Sequence, residues 1–190
     1  MYGSPGRARH NIGPLLKEFK IMILHHDHQP HPQPEVARFL ADESATMALG
    51  AELSRTLAPG LVIYLNGDLG AGKTTLARAL LHALGYRGKV KSPTYTLLEI
   101  YVVSSLYLYH FDFYRFNNPD EWHEAGFREY FNEATVCLVE WPEKAGGLLP
   151  PADIEIGLFV EGEGRRAEIS AGTEKGRQCL SVLTGSAGRA

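Results

Sequence analysis

The stretch "GDLGAGKTT" at residues 67–75 carries the clearest chemical signal in the chain. Residues 67–74 match G-x-x-x-x-G-K-[ST], the phosphate-binding loop, and they lie between an apolar run and an amphipathic stretch. Its glycines let backbone N–H groups turn toward a polyphosphate, and the following helix dipole adds to that field. Lys73 supplies charge for the β and γ phosphates, and Thr74 offers a hydroxyl to Mg²⁺. The sequence therefore predicts a nucleoside triphosphate site rather than a glycine-rich turn with a solvated lysine.

Two carboxylates stand where such a site needs them. Glu140 ends the apolar run "TVCLVE", and Asp112 follows the run "YLYHF". Ligands of open α/β sheets bind at the carboxyl ends of the strands, so both acids are candidates to hold the metal and to position a nucleophile. Each acid could instead cap or ion-pair at its strand end.

The nucleotide base is assigned by elimination. The N-K-x-D tetrapeptide by which many GTPases read guanine is absent from the sequence, and no D-x-x-G follows a strand-like run. ATP is therefore the favoured nucleotide.

Strand-like and helix-like stretches alternate along the chain from residue 35. The nearly all-apolar runs at 61–65 and 135–140 are typical of strands covered on both faces, and the two aromatic runs flanking Ser104 and Ser105 predict an antiparallel hairpin. We therefore predict an α/β fold, P-loop NTPase-like, in which helices flank a mixed, largely parallel sheet. The predicted strands are 36–41, 61–65, 96–103, 106–114, 135–140, 153–160 and 165–171, and the predicted helices are 42–57, 74–85, 117–131 and 176–183.

Length and composition fit one globular domain with tails. The chain has 190 residues, of which 44% are hydrophobic and 22% are charged. We predict a flexible N-terminal extension at 1–34, a P-loop ATPase domain at 35–184 and a C-terminal tail at 185–190. Prolines in the extension favour an extended segment over a metal site. The potential metal ligands there are His25, His26, His28 and His31.

Charge and cysteine content indicate the cellular compartment and the kinds of partner that the protein has. The formal net charge of -3 gives no global electrostatic footprint for nucleic acid or for an anionic membrane. No apolar run approaches the ~20 residues that span a bilayer. The two cysteines show no metal-type spacing and are expected to be reduced thiols. These features predict a cytoplasmic protein without a membrane partner.

Five short motifs together resemble the TsaE family. In chain order they are "GDLGAGKTT", "KSPTYTL", "YHFDFYR", "GFREYF" and "LVEWPE". The phosphate-binding loop alone is common to many families, whereas the combination of S-P-T-[FY], H-x-D-x-Y-R and E-W-P is specific. From about residue 36 to about residue 184 the chain is thus similar to TsaE, formerly YjeE, the bacterial ATPase required for threonylcarbamoyladenosine modification of tRNA.

The resemblance implies cofactors and residue roles. ATP and Mg²⁺ would be the cofactors, with Lys73 on phosphate and Thr74 on the metal. Glu140 would be the metal-site acid, and Asp112 would be a catalytic or switch carboxylate. The implied switch region contains Ser92 and Thr94, and Trp141 would either line the site or belong to the core. The remaining predicted nucleotide contacts are Glu43, Gly70, Ala71, Gly72, Thr75 and Arg165.

The resemblance also implies protein partners, TsaD and TsaB. TsaD transfers the threonylcarbamoyl group and a separate enzyme makes the threonylcarbamoyl-adenylate, so this chain would meet tRNA only indirectly through the complex. The slightly acidic net charge agrees with that expectation. The short basic run at 86–91 could contact RNA or a partner, or could simply be solvated.

Two other functions share part of this pattern. A small-molecule kinase would carry the same loop, but it should add an acceptor pocket and an arginine-bearing lid, and the arginines between Lys73 and Glu140 form no such cluster. A nucleotide-dependent binding module with incidental hydrolysis has no distinguishing sequence feature. The leading hypothesis is a Mg²⁺-dependent ATPase stimulated by its partners.

Overall fold

A seven-stranded mixed sheet forms the centre of the protein, which we describe from a computed structural model over residues 34–187. The strand order is β1-β7-β6-β2-β5-β4-β3. The strands are β1 (Val36–Leu40), β2 (Val62–Asn66), β3 (Leu98–Val103), β4 (Leu106–Asp112), β5 (Thr135–Glu140), β6 (Ile154–Glu161) and β7 (Gly164–Ala171). The helices are α1 (Glu43–Leu53), α2 (Lys73–Ala83), α3 (Pro119–Glu124) and α4 (Glu174–Ala187).

The centre of the sheet is parallel and its edges are antiparallel. Strand β2 pairs in parallel with β5 and β6, and β5 pairs in parallel with β4. Strand β7 is antiparallel to both β6 and β1, and β3 is antiparallel to β4. All described strands except β3 and β7 therefore run in one direction. Every residue of β5 is buried, as a strand covered on both faces requires. The predicted fold class and the predicted hairpin are thereby confirmed.

Apolar clusters cover the two faces of this sheet. On one face, leucines of α1, α2 and α4 pack against alternate residues of the central strands, including Ile63, Leu65 and Leu138. On the other face an aromatic cluster forms around Phe111, Phe113, Trp122 and Phe127. The sheet is therefore held between two hydrophobic layers, and its carboxyl edge has a fixed geometry.

The helix predicted over 117–131 is shorter than its pattern indicates. Asn118 caps its start, since its side chain accepts from the Asp120 N–H at 2.9 Å. The helix nevertheless ends at Glu124, and a short 3-10 helix follows over Phe127–Tyr130. Gly126 separates the two with φ 64°, a left-handed conformation that no helix interior accommodates.

Several predictions concern residues outside the described range. Residues 1–33 of the predicted N-terminal extension, with its histidine cluster, and the last three residues of the tail lie outside residues 34–187, and the predicted domain boundaries stay predictions. Helix α4 continues to Ala187. Among the described helices, none is both long and apolar enough to cross a membrane.

Close packing between α1 and α2 makes Gly50 sensitive to substitution. A Cβ at this position would lie 2.7 Å from Ala79 Cβ and 2.8 Å from the Leu76 carbonyl oxygen. We expect Gly50→Ala to lower the free energy of unfolding by about 1–3 kcal/mol, because overpacking outweighs the gain in helix propensity. Urea denaturation measures this change. Gly185→Ala in α4 is the matched control, because among the described residues no atom outside the local helix backbone lies within 4 Å of the new Cβ. Equal stability of both variants would contradict the packing described.

Candidate functional site

A cavity of about 560 Å³ opens at the carboxyl edge of the sheet, where β2, β4 and β5 end. Ligands of open α/β sheets bind at this edge. Its wall combines the glycine-rich loop, the two predicted carboxylates and the predicted switch residues. The lining residues are Leu69, Gly70, Gly72, Lys73, Thr74, Thr75, Ser92, Thr94, Tyr95, Asp112, Tyr114, Arg115, Glu140 and Trp141.

The glycine-rich loop joins β2 to α2 in a conformation that side chains would prevent. Gly67 has φ 134°, and a Cβ there would lie 2.3 Å from the Leu158 carbonyl oxygen. Gly72 precedes α2 with φ 109° and offers no side-chain cap, whereas α1 is capped by Asp42. The first N–H groups of α2 therefore have no side-chain acceptor from the cap position, which suits an anionic ligand.

Lys73 is buried inside its own loop. Its ammonium Nζ donates to the carbonyl oxygens of Gly67 at 2.5 Å and Asp68 at 2.9 Å, and it lies 4.0 Å from the Trp141 ring centroid. Burial lowers the pKa of Lys73 from its usual value, and the nearby carboxylates of Glu140, Asp112, Glu143 and Asp68 oppose that shift. Carbonyl oxygens and an aromatic face thus hold the cation beside the cavity, and no ion pair to it is present within residues 34–187.

Glu140 is held at the end of β5 by two donors on one oxygen. Thr74 Oγ1 donates to Glu140 Oε1 at 2.9 Å, and His110 Nε2 lies 2.9 Å from the same oxygen. Glu140 is only 3% exposed. Because the Thr74 hydrogen is engaged with the carboxylate, the lone pairs of that hydroxyl are left to face a cation.

Asp112 lies directly beside Glu140, since the two residues are register partners in the parallel β4–β5 pair. Its Oδ2 accepts from the hydroxyls of Ser92 and Thr94, the latter at 2.9 Å, and its Oδ1 accepts from the Tyr114 N–H at 2.9 Å. In this conformation the predicted switch hydroxyls bind the carboxylate. The loop carrying them is therefore tied to the end of β4.

Trp141 lines the cavity in a strained backbone conformation. It follows β5 with φ 58°, which is unusual for a bulky residue, and it packs against Tyr114 with ring centroids 5.0 Å apart. The left-handed turn brings the indole beside the Lys73 ammonium. The structure thus places Trp141 at the site as well as against the aromatic cluster.

Three predicted residues lie outside the cavity wall. Ala71 is buried in the loop, and its carbonyl oxygen accepts from Arg165 Nε at 2.9 Å. Arg165 therefore stabilises the loop backbone by a hydrogen bond. Glu43 is exposed at the start of α1, and its Oε1 lies 3.8 Å from Nη1 of Arg78. The other predicted site residues line the cavity. The assignments of all these residues to nucleotide or metal contact, Glu43 and Arg165 included, stay predictions.

Sequence reasoning missed some members of the site. His110 contacts Glu140, while Tyr95 and Tyr114 line the cavity beside Arg115, whose guanidinium lies 4.6 Å from the Tyr95 ring centroid. The signal for His110 is present in "YHFDFYR", because residues two apart on a strand face the same side and Asp112 is itself a predicted site residue. The tyrosines carry no comparable signal, since their position depends on loop conformation.

The side chains at this edge of the sheet could bind Mg²⁺ only if a bound ligand supplied further oxygen atoms. Within residues 34–187 no group of three or more His, Cys, Asp and Glu side chains is arranged to hold a metal ion by itself. Magnesium is commonly bound by one or two carboxylates or hydroxyls together with water and substrate phosphates. Thr74 with Glu140 and Asp112 beside it matches that second arrangement.

Comparison with known proteins places the chain among its relatives. The family model described as threonylcarbamoyl adenosine biosynthesis protein TsaE matches residues 40–168. The tRNA threonylcarbamoyladenosine biosynthesis protein TsaE of Haemophilus influenzae is 40% identical over 154 residues, covering 78% of this chain and 98% of that protein. The Bacillus subtilis protein of the same name is 41% identical over 117 residues, covering 61% of this chain and 73% of that protein.

A solved structure agrees with these sequence matches. The crystal structure of Bacillus subtilis YdiB superposes with a TM-score of 0.67 at 29% identity, covering 83% of this chain and 99% of that one. The family model spans well over half of the chain and includes the glycine-rich loop and both carboxylates. The chain therefore belongs to the TsaE family of tRNA threonylcarbamoyladenosine biosynthesis proteins.

Proposed function

We propose that this protein is a Mg²⁺-dependent ATPase that supports N6-threonylcarbamoyladenosine modification of tRNA within a partner complex. The single observation that carries the proposal is the Thr74–Glu140 hydrogen bond at 2.9 Å, at the start of the helix that follows the phosphate-binding loop. This bond joins the loop residue that faces the metal in P-loop enzymes to an acid at a strand end, which is the arrangement such enzymes need.

The chain's own residues supply binding and charge. The loop N–H groups and the start of α2 would receive the phosphates, and Lys73 would exchange its two carbonyl partners for phosphate oxygens. Thr74 and Glu140 would hold Mg²⁺ directly or through water, and the bound ion would neutralise charge on the β and γ phosphates. Burial of Lys73 and Glu140, which are 5% and 3% exposed, strengthens electrostatic interactions at this place.

Asp112 is the candidate for orienting the attacking water. Its carboxylate accepts three hydrogen bonds in this conformation, two of them from Ser92 and Thr94. Movement of the loop that carries these hydroxyls would free Oδ2 to accept from a water. Such an order change is the kind of switch by which a γ-phosphate is detected in other nucleotide hydrolases.

Partner proteins fit this proposal because Arg115 and Arg165, the two arginines that could add positive charge beside Lys73, each contact another group of this chain. Arg115 stacks on Tyr95, which is 83% exposed, and Arg165 donates to the Ala71 carbonyl oxygen. We propose TsaD and TsaB as the partners, with tRNA contacted only through them. The names of the relatives, which concern tRNA threonylcarbamoyladenosine biosynthesis, support that setting.

Lys73→Ala tests the loop assignment. We expect phosphate release to fall by about 10²-fold or more, because the ammonium is needed for the transferring phosphoryl group. The fold should persist, as circular dichroism would show, since within the described part of the chain the hydrogen bonds of the Lys73 side chain stay inside its own loop. Lys89→Ala removes an exposed lysine and is the control. A folded Lys73→Ala protein with normal turnover would overturn the assignment.

The two carboxylates are expected to respond differently to amide substitution. Glu140→Gln should raise the Mg²⁺ concentration needed for half-maximal phosphate release by about tenfold or more, because a metal-facing charge is removed. Asp112→Asn should lower turnover by about 10²-fold with a smaller effect on ATP affinity, because the group acts mainly in the transition state. The exposed Glu163→Gln is the control. Normal hydrolysis by both variants would show that these acids are structural.

Stimulation by partners separates the proposal from its alternatives. We expect slow steady-state phosphate release from the isolated chain at saturating ATP, and a rise of about tenfold or more when the TsaB–TsaD complex is titrated in. A scan of small acceptors should show no phosphorylated product. If the isolated chain already releases phosphate quickly and the complex does not change its rate, the result would favour an independent ATPase or a kinase. If ATP promotes assembly of the complex without being hydrolysed, the result would favour a binding module.

A further inference from the structure

His110 is a buried polar side chain that the proposed mechanism has not used. It lies on β4, fully shielded from solvent, and its Nε2 is 2.9 Å from Glu140 Oε1. Its other ring nitrogen, Nδ1, has no hydrogen-bond partner within residues 34–187. A buried nitrogen without a partner is unfavourable, so packing alone does not explain a histidine at this position.

The hydrogen-bond pattern assigns the tautomer. Glu140 Oε1 already accepts from Thr74 Oγ1, and a carboxylate oxygen can only accept, so His110 Nε2 must carry the proton that it shares with this oxygen. His110 is thereby a fixed donor aimed at the carboxylate from within the sheet.

Both donors act on the same oxygen of Glu140. Thr74 approaches Oε1 from the start of α2 and His110 approaches it from β4, while no hydrogen bond within residues 34–187 engages Oε2. Glu140 lines the cavity, and Oε2 is its carboxylate oxygen without a hydrogen bond from these residues. Two donors from different elements restrict rotation of the carboxylate more than either donor does alone.

We propose that His110 is a positioning residue, which orients the Glu140 carboxylate so that Oε2 faces Mg²⁺ or its bound water. This inference rests on the proposed function. Residues that orient a metal-facing carboxylate commonly matter for metal affinity although they never touch the metal. Leu108, the neighbouring residue on the same face of β4, is apolar and fully buried, which shows that this layer accepts hydrocarbon.

Three substitutions at position 110 separate positioning from packing. His110→Gln keeps an N–H donor at nearly the distance of Nε2 from the backbone. His110→Asn places its N–H donor only as far from the backbone as Nδ1, which is too far from Glu140 Oε1 for a hydrogen bond. His110→Leu fills the space without any donor. His123→Leu, at an exposed histidine in α3, is the matched control.

The measurement is the gain in ADP affinity that Mg²⁺ provides, obtained by calorimetric titration of ADP in Mg²⁺ and again in EDTA. We expect His110→Leu and His110→Asn to lose about tenfold or more of this gain, with ADP affinity in EDTA unchanged. His110→Gln should retain most of it, and the control should match the wild type. In phosphate release assays, the Leu and Asn variants should need more Mg²⁺, while the KM for ATP measured at saturating Mg²⁺ should stay near the wild-type value.

The outcomes distinguish the inference from the proposed function. If the wild-type protein shows no Mg²⁺-dependent gain in ADP affinity, the proposed function fails first. If the wild type shows the gain and folded His110→Leu shows it equally, or if His110→Gln loses as much as His110→Asn, the positioning role is wrong. Should His110→Leu not fold, the comparison of the two amide variants decides the question by itself.

Discussion

Two buried carboxylates placed side by side are the constraint on which the site depends. Asp112 and Glu140 are register partners on parallel strands, and they are 2% and 3% exposed. Neighbouring acids in such a place are tolerated only when donors or cations offset the loss of water and their mutual repulsion. The donors come from separate parts of the chain, and they are Thr74, His110, Ser92, Thr94 and the Tyr114 N–H.

This constraint connects the elements around the cavity. Thr74 ties the start of α2 to β5, and the hydroxyls of Ser92 and Thr94 tie the loop before β3 to β4. Lys73 lies close enough to both acids for them to oppose the fall of its pKa on burial. The charge of a bound nucleotide or cation would therefore act at the same time on the phosphate-binding loop, on the loop that carries Ser92 and Thr94, and on strands β4 and β5. A shift of these elements on ligand binding would change the surface that a partner protein contacts.

The sequence predicted much of this arrangement because its signals are local. A continuous apolar strand, a glycine-rich loop and an acid at a strand end identify the loop, Glu140 and Asp112 without tertiary information. The parts that it did not predict depend on packing between distant segments. The His110 contact with Glu140 needs the β4–β5 register, the engagement of Ser92 and Thr94 by Asp112 needs the loop conformation, and the strained turn at Trp141 has no compositional signal. The break in the predicted helix at Gly126 is a further case in which one left-handed residue overrides a helical pattern.

The most direct test of this account is a crystal structure of the protein with Mg²⁺ and a non-hydrolysable ATP analogue. The account predicts phosphates within the loop at residues 67–74, Mg²⁺ at about 2.1 Å from Thr74 Oγ1, and Glu140 bonded to the metal or to its water. It also predicts that Lys73 Nζ has left the Gly67 and Asp68 carbonyl oxygens for the phosphates. An analogue bound away from this loop, or a metal that contacts neither Thr74 nor the shell around Glu140, would contradict the account.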